Sequence, residues 1–180
     1  MKNIIPLVIV AVLSQKNPLF TLAPETIDPG RASVTMVLES GNFINYDAAP
    51  TNQTFSGGNK SPQLNWSNTV STIRSYVLIM YDVNAGDAIH LMWVNIPSAT
   101  ISLTEGQTTG GTRLTNSFGN IGYTGPKTTG HLYAFKVIGL SVTTVTLNTI
   151  PGYPSPTKAE LLSVIKPLMV RESNALMFKY

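Results

Sequence analysis

Two histidines, an aspartate and a tyrosine carry most of the reactive potential of this 180-residue chain: Asp82, His90, His131 and Tyr133. His90 and His131 are its only histidines. His131 follows a glycine-rich stretch, "TNSFGNIGYTGPKTTG", in which Gly125 and Pro126 sit side by side. Two imidazoles, a phenol and the free N–H groups of such a loop are all donors. Converging, they bind an anion such as phosphate, sulfate or carboxylate. An unpaired Asp82 would repel that anion. Its useful role is to hold one histidine in a single tautomer and raise its pKa. Each feature also has a plain structural reading: a strand-end histidine, a turn-forming aspartate, an ordinary loop.

Strands must bring these residues together. "SYVLIMYD" (75–82) is an apolar run of strand length ending on Asp82. "IHLMWVNIP" (89–97) is a second, stopped by Pro97, and "HLYAFKVIGL" (131–140) a third. Residues two apart share a strand face. That groups His131, Tyr133, Phe135 and Val137, and places His90 with Met92 and Val94. A hairpin across the short connection between the first two strands puts Asp82 and His90 at one end of the sheet. If the third strand is their neighbour, His131 and Tyr133 join them.

The other elements follow from local signals. "ASVTMVLES" alternates like a strand, and "SVTTVTLNTI" (141–150) reads as strand by its β-branching. "SPTKAELLSVIKPLMV" is the one helix candidate, with Ser155 as N-cap and Pro156 in the first turn. Leu161, Leu162 and Ile165 form its apolar face, and Pro167 breaks or kinks it. "NALMFKY" returns as a short strand. The expected architecture is mostly β with one C-terminal helix.

Composition narrows the function. Charged residues are 12% of the chain, about half the usual share. The 14 glycines and 12 prolines favour a turn-rich β protein. The net charge of +3 is carried by Lys and Arg scattered singly, which argues against nucleic-acid binding, since that needs a clustered basic footprint. With no cysteine, thiolate metal sites and cysteine nucleophiles are excluded, and two histidines exclude a three-histidine zinc site. No metal and no cofactor is expected. Lys2, the short apolar stretch Ile4 to Leu13, and Val12 and Ser14 before Gln15 read as a signal peptide over residues 1–14. Residues 15–180 then form a single domain, secreted or periplasmic. Asn52, Asn59 and Asn65 begin glycosylation sequons that matter only in a glycosylating host.

Four stretches, in order and spacing, resemble the phosphatidylethanolamine-binding protein family: "GGNKSPQLNW" (57–66), "YDVNAG", "IHLMWVNIP" and "TNSFGNIGYTGPKTTGHLYAFKVIGL". They are most similar to its bacterial-type, Raf kinase inhibitor-like branch. The match covers about residues 20 to 180. The resemblance implies an antiparallel β-sandwich with Greek-key-like connections and a C-terminal helix beside a small anion pocket. It implies binding of phosphate-type anions or phospholipid head groups, action through a protein partner, and a homodimer. The family's pocket positions fall on Asp82, His90, Gly125 with Pro126, and His131 with Tyr133. The family's D-P-D-x-P motif reads Asp82-Val83-Asn84-Ala85-Gly86 here, losing both prolines and the second carboxylate. Ile89 and Leu91 stand where aromatic residues usually flank the histidine.

The expectation is therefore an exported, non-enzymatic binding protein that uses this pocket and modulates another protein. One rival is a surface-acting inhibitor or interaction protein with a degenerate pocket. A second is a hydrolase using Asp82, His90 or His131 with a serine or threonine; no G-x-S-x-G supports it.

Overall fold

The computed structural model describes residues 36–67 and 70–180. The signal-peptide segment and the first half of "ASVTMVLES" lie outside the described residues.

The apolar run at 75–82 becomes the central strand. It is β3 (Ser75–Asp82), in a chain-order series with β1 (Leu38–Glu39), β2 (Leu64–Trp66), β4 (Ala88–Pro97), β5 (Ser102–Leu103), β6 (Thr112–Arg113), β7 (Leu132–Leu140), β8 (Met169–Glu172) and β9 (Leu176–Lys179). The larger sheet runs β6-β4-β3-β7-β8, and β9 also pairs with β7. The smaller runs β1-β2-β5. Every strand pairing is antiparallel.

β3 is apolar without alternation because both its faces are covered. Tyr76, Leu78 and Met80 join one core, with Leu38, Leu64, Trp66 and Leu103 of the smaller sheet and Tyr133, Phe135 and Val137 of β7. Val77 and Ile79 face a second core, shared with Leu161 and Ile165 of the helix α1 (Lys158–Ile165). The helix thus covers the face of the sheet opposite Tyr133. It still reaches the β3–β4 turn, where Lys158 Nζ lies 3.0 Å from Asp87 Oδ2 and 3.5 Å from the centre of the Tyr81 ring.

β7 holds the sheet together along two edges. β3 pairs with residues 133–140. On the other edge, β9 takes residues 132–135 and β8 takes residues 138–140. The last segment of the chain is therefore built into the sheet beside His131 and Tyr133.

Two local expectations need correcting. Residues 141–150 form no strand; they are loop with a short 3₁₀ turn at Leu147–Thr149. Their β-branched residues are anchored singly instead: Val145 and Ile150 are buried in the second core, and Asn95 brackets Val145 by accepting from its N–H at 2.7 Å and donating to its carbonyl at 3.2 Å. The helix N-cap is Thr157, two residues beyond Ser155. Thr157 and Glu160 form a reciprocal capping box, in which the threonine hydroxyl accepts from the Glu160 N–H and the glutamate carboxylate from the Thr157 N–H. Two orphan donors are satisfied there, against one at most for a cap by Ser155 alone. Pro167 sits just past the helix end, in the 3₁₀ turn Lys166–Leu168.

Candidate functional site

Asp82 is the last residue of β3 and stands directly opposite Tyr133 of β7. β7 pairs with β3, so the three strands lie in the order β4-β3-β7 and their ends meet at one edge of the sheet. The Asp82 carboxylate is buried and fully used. Oδ1 accepts from the N–H groups of Asn84 (2.9 Å) and Ala85 (3.1 Å), which closes the turn after β3. Oδ2 lies 2.8 Å from His131 Nδ1. An ionised carboxylate only accepts, so Nδ1 carries the proton and the ring is fixed in that tautomer. His131 keeps partial exposure, its side chain at 29% against 4% for Asp82.

His90 reaches the same cluster by a route that strand alternation misses. Tyr81 pairs with Ile89, but Met80 pairs with Leu91, so His90 is the extra residue of a β-bulge. The bulge breaks the two-residue repeat. Leu91 and Trp93 enter the core that contains Tyr133, while Met92 and Val94 enter the other. The His90 ring packs edge-on to Tyr133 with centroids 5.0 Å apart. It therefore shares the Tyr133 side and not that of Met92 and Val94, as alternation had it.

His90 is buried, and its Nδ1 is 2.7 Å from the carbonyl oxygen of Thr124. A carbonyl only accepts, so Nδ1 is protonated and the neutral ring leaves Nε2 without a proton. Burial pushes the His90 pKa below its ordinary value, against the opposing pull of the Thr124 carbonyl and the Asp82 charge.

The glycine-rich loop is pinned along β4. The N–H of Thr124 donates to the His90 carbonyl at 2.8 Å, and that of Ser117 to the Ile89 carbonyl at 3.0 Å. Asn116 organises the loop from inside. Its buried amide donates to the carbonyls of His90 (3.3 Å) and Gly122 (3.0 Å) and to the Thr124 hydroxyl (2.8 Å). Its side-chain oxygen accepts from the N–H groups of Phe118 and Asn120. Gly125 and Pro126 form the buried wall: the Gly125 N–H donates to Asn59 Oδ1 at 2.7 Å, and the Pro126 carbonyl accepts from Phe55. The Tyr133 hydroxyl is committed to this loop. It accepts from the N–H groups of Lys127 (3.3 Å) and Thr128 (3.1 Å) and donates to the Thr128 carbonyl at 3.3 Å. Burial raises its pKa, so the phenol stays protonated.

Asp82, His90, His131, Tyr133, Gly125 and Pro126 thus form one connected cluster. Residue-type reasoning missed Asn116, Asn59, Phe55, Phe118 and Lys127. Lys127 Nζ sits 4.2 Å above the Phe55 ring and 4.5 Å above that of Phe118, and Phe118 packs edge-on to His90. Asn116 and Phe118 belong to the N-x-F-G part of the loop motif, so the signal was in the chain, although no residue-level chemistry singled it out. Among the described residues, no group of three or more His, Asp or Glu side chains is placed to hold a metal ion.

Gly125 tests the wall directly. A Cβ there would lie 2.6 Å from the Phe55 nitrogen and 2.7 Å from the Thr54 carbonyl carbon, and closer still to the Gln53 oxygen. These are backbone atoms, which cannot swing aside as a side chain does. Gly125→Ala is expected to cost ~1–3 kcal/mol of stability, the usual range for overpacking. A urea midpoint equal to that of the wild type would show that the wall yields.

The family model for phosphatidylethanolamine-binding protein matches residues 35–179. A UPF0098 protein of Aquifex aeolicus (strain VF5) is 36% identical over 118 residues, which cover 59% of this chain and 69% of that protein. Among solved structures, a putative phosphatidylethanolamine-binding protein homolog, CT736 of Chlamydia trachomatis, superposes with a TM-score of 0.69 at 26% identity, covering 81% of this chain and 97% of that one. YbcL of E. coli, described as a new member of the mammalian PEBP family, gives the same TM-score and coverage at 24% identity, which bears on the fold alone. A match that runs through both β-sheets, the glycine-rich loop and the helix makes this chain a member of the phosphatidylethanolamine-binding protein family.

Proposed function

We propose that this chain is an exported, non-enzymatic binding protein that takes up a small anion at the His131–His90 cluster and acts by engaging another protein. The anion is a phosphate-type group, free or as a phospholipid head group. The observation that carries the reading is the Asp82–His131 pair. Asp82 is satisfied by three donors, which stabilise its charge and fix the His131 ring, and His131 is the partly exposed member of the cluster. Export rests on the sequence of residues 1–14. Among the described residues neither imidazole is bonded to a serine or threonine hydroxyl, which gives the hydrolase reading no nucleophile to work with. The degenerate-pocket reading has two observations in its favour: His90 is buried, and the Tyr133 hydroxyl is already occupied by the loop.

The pH dependence of anion binding separates the two. Neutral His90 offers no donor at Nε2, so an anion is held there only by the charged ring. Burial has lowered the pKa of His90 in the empty site. Binding must then take up a proton, and affinity rises as pH falls. Stability of the empty protein follows from the same residue. The unfolded histidine titrates near ~6.5 and the folded one lower, so the unfolded state binds more protons below that pH. Stability is full above pH ~6.5 and is lost as pH falls through the folded value. Sulfate, doubly charged throughout, should offset that loss. Calorimetry with sulfate from pH 5 to 8 is expected to show affinity highest at pH 5. Equal affinity at both ends would refute the proton-coupled site. Phosphoethanolamine and phosphatidylethanolamine vesicles, run beside inorganic phosphate at one pH, distinguish a head group from a free ion.

A further inference from the structure

Lys127 follows the Gly125–Pro126 wall and is anchored at both ends. Its N–H donates to the Tyr133 hydroxyl at 3.3 Å. Its ammonium lies 4.2 Å from the centre of the Phe55 ring and 4.5 Å from that of Phe118, and Phe118 packs edge-on to His90 at 4.7 Å. One ring therefore separates the ammonium from His90.

Two aromatic faces hold an ammonium without neutralising it. Among the described residues no carboxylate pairs with Lys127, whereas Lys136 and Lys158 are paired with Glu172 and Asp87. The charge of Lys127 is felt inside the cluster. After burial, which has the larger effect, it too pushes the His90 pKa down. The charged and titratable groups that face His90 are Asp82 from β3, Tyr133 from β7 and Lys127 from the loop. Of these, Asp82 is already taken by Asn84, Ala85 and His131, and Tyr133 stays neutral.

Charge and donor number decide which anion fits. With both imidazoles neutral, Lys127 offsets Asp82. Each proton that a histidine takes up then leaves one positive charge in excess, so two charged rings match a dianion. Both rings have Nδ1 committed, His131 to Asp82 and His90 to the Thr124 carbonyl, so each offers Nε2 when charged. The Lys127 ammonium is the third donor group, and its flexible stem lets it turn from the rings toward an anion while the backbone stays on Tyr133. A phosphomonoester presents three terminal oxygens and close to two negative charges at pH 7. A phosphodiester or a carboxylate presents two oxygens and a single charge.

We propose that Lys127 is a specificity residue of the cluster, supplying the third donor and the fixed positive charge by which the site selects a phosphomonoester over a phosphodiester or a carboxylate. This selectivity presupposes the anion site proposed above and names the class of its ligand.

The test uses the full chain and calorimetry at pH 7 with methyl phosphate, dimethyl phosphate and acetate. The wild type is expected to favour methyl phosphate over each of the others by at least about tenfold, the scale of one charge-assisted hydrogen bond. Lys127 is exposed, so Lys127→Met leaves the core intact and keeps an apolar stem between the rings. It should remove most of that preference, and Lys127→Arg should keep it. A second readout is the pH series with sulfate. In Lys127→Met, sulfate should bind about tenfold more weakly at pH 5, where the lost donor is felt in full. The fall in affinity with rising pH should also move to higher pH, because the charge that opposed protonation of His90 is gone. A lysine that only braced Phe55 and Phe118 would weaken all three probes alike and leave the pH profile in place, and that result would overturn the proposal. So would wild type binding dimethyl phosphate or acetate as tightly as methyl phosphate. Wild type that binds none of these probes and no sulfate would refute the anion site itself, a failure distinct from sulfate binding with unchanged selectivity in Lys127→Met.

Discussion

Replacing Phe178 with alanine is expected to lower the unfolding free energy by ~3–5 kcal/mol, the range for removing a fully buried phenylalanine. Phe178 is wholly buried. It packs edge-on to Phe43 with centroids 4.9 Å apart, stacks on Tyr133 at 5.9 Å and tilts against Phe135 at 5.8 Å. It also stands directly opposite Tyr133 in the β7–β9 ladder. Tyr133 and Phe135 are fixed on β7, so the rings that flank the space cannot move in to refill it. Urea denaturation of wild type and Phe178→Ala measures the loss, and Phe178→Leu should recover part of it. A loss below ~1 kcal/mol would mean that β9 is not required to close this core.

The second large effect is on binding. His131→Ala is expected to weaken sulfate roughly ten- to a hundredfold, which corresponds to ~1.5–3 kcal/mol for a charge-assisted hydrogen bond. Two effects act together. The ring that meets solvent is lost, and the Asp82 carboxylate loses the partner at Oδ2. A bared carboxylate repels the anion that the ring attracted. Asp82→Asn in the same background removes that repulsion and should restore part of the affinity. Calorimetry at pH 6 on the single and double variants checks both. If His131→Ala binds sulfate as wild type does, the cluster is not an anion site and the surface-acting reading gains.

The strands that carry the site were legible because their signals are local. The apolar run at 75–82 and the stop at Pro97 mark elements that the structure places within a residue. Asp82, Tyr133 and His131 meet because alternation and the ends of strands are readable from residue order. His90 was read onto the wrong face for a specific reason. A bulge depends on how two strands pair, and neither "MYD" nor "IHL" contains that information. Residues 141–150 failed on the opposite count, since β-branched residues fit a strand only when a partner edge is present. The edge of β7 that such a strand would use is taken by β8 and β9. The role of Asn116 was hidden because the five partners of its side chain are all within its own loop or on β4, visible only once the loop has folded back.

The bulge at His90 also bears on how such a site is gained or lost in descent. Ile89 and Leu91 already face consecutive residues of β3, so a chain with codon 90 deleted would carry an uninterrupted ladder there and keep every other pair of the hairpin. Backbone pairing alone would favour that shorter chain. What it would lose is the carbonyl that receives Thr124 and Asn116 and the ring nitrogen that meets Thr124, and with them the seat of the glycine-rich loop. Position 90 is thus an insertion that the sheet tolerates and the loop requires. Shortened homologues lacking it should retain the strands and vary first in residues 115–130.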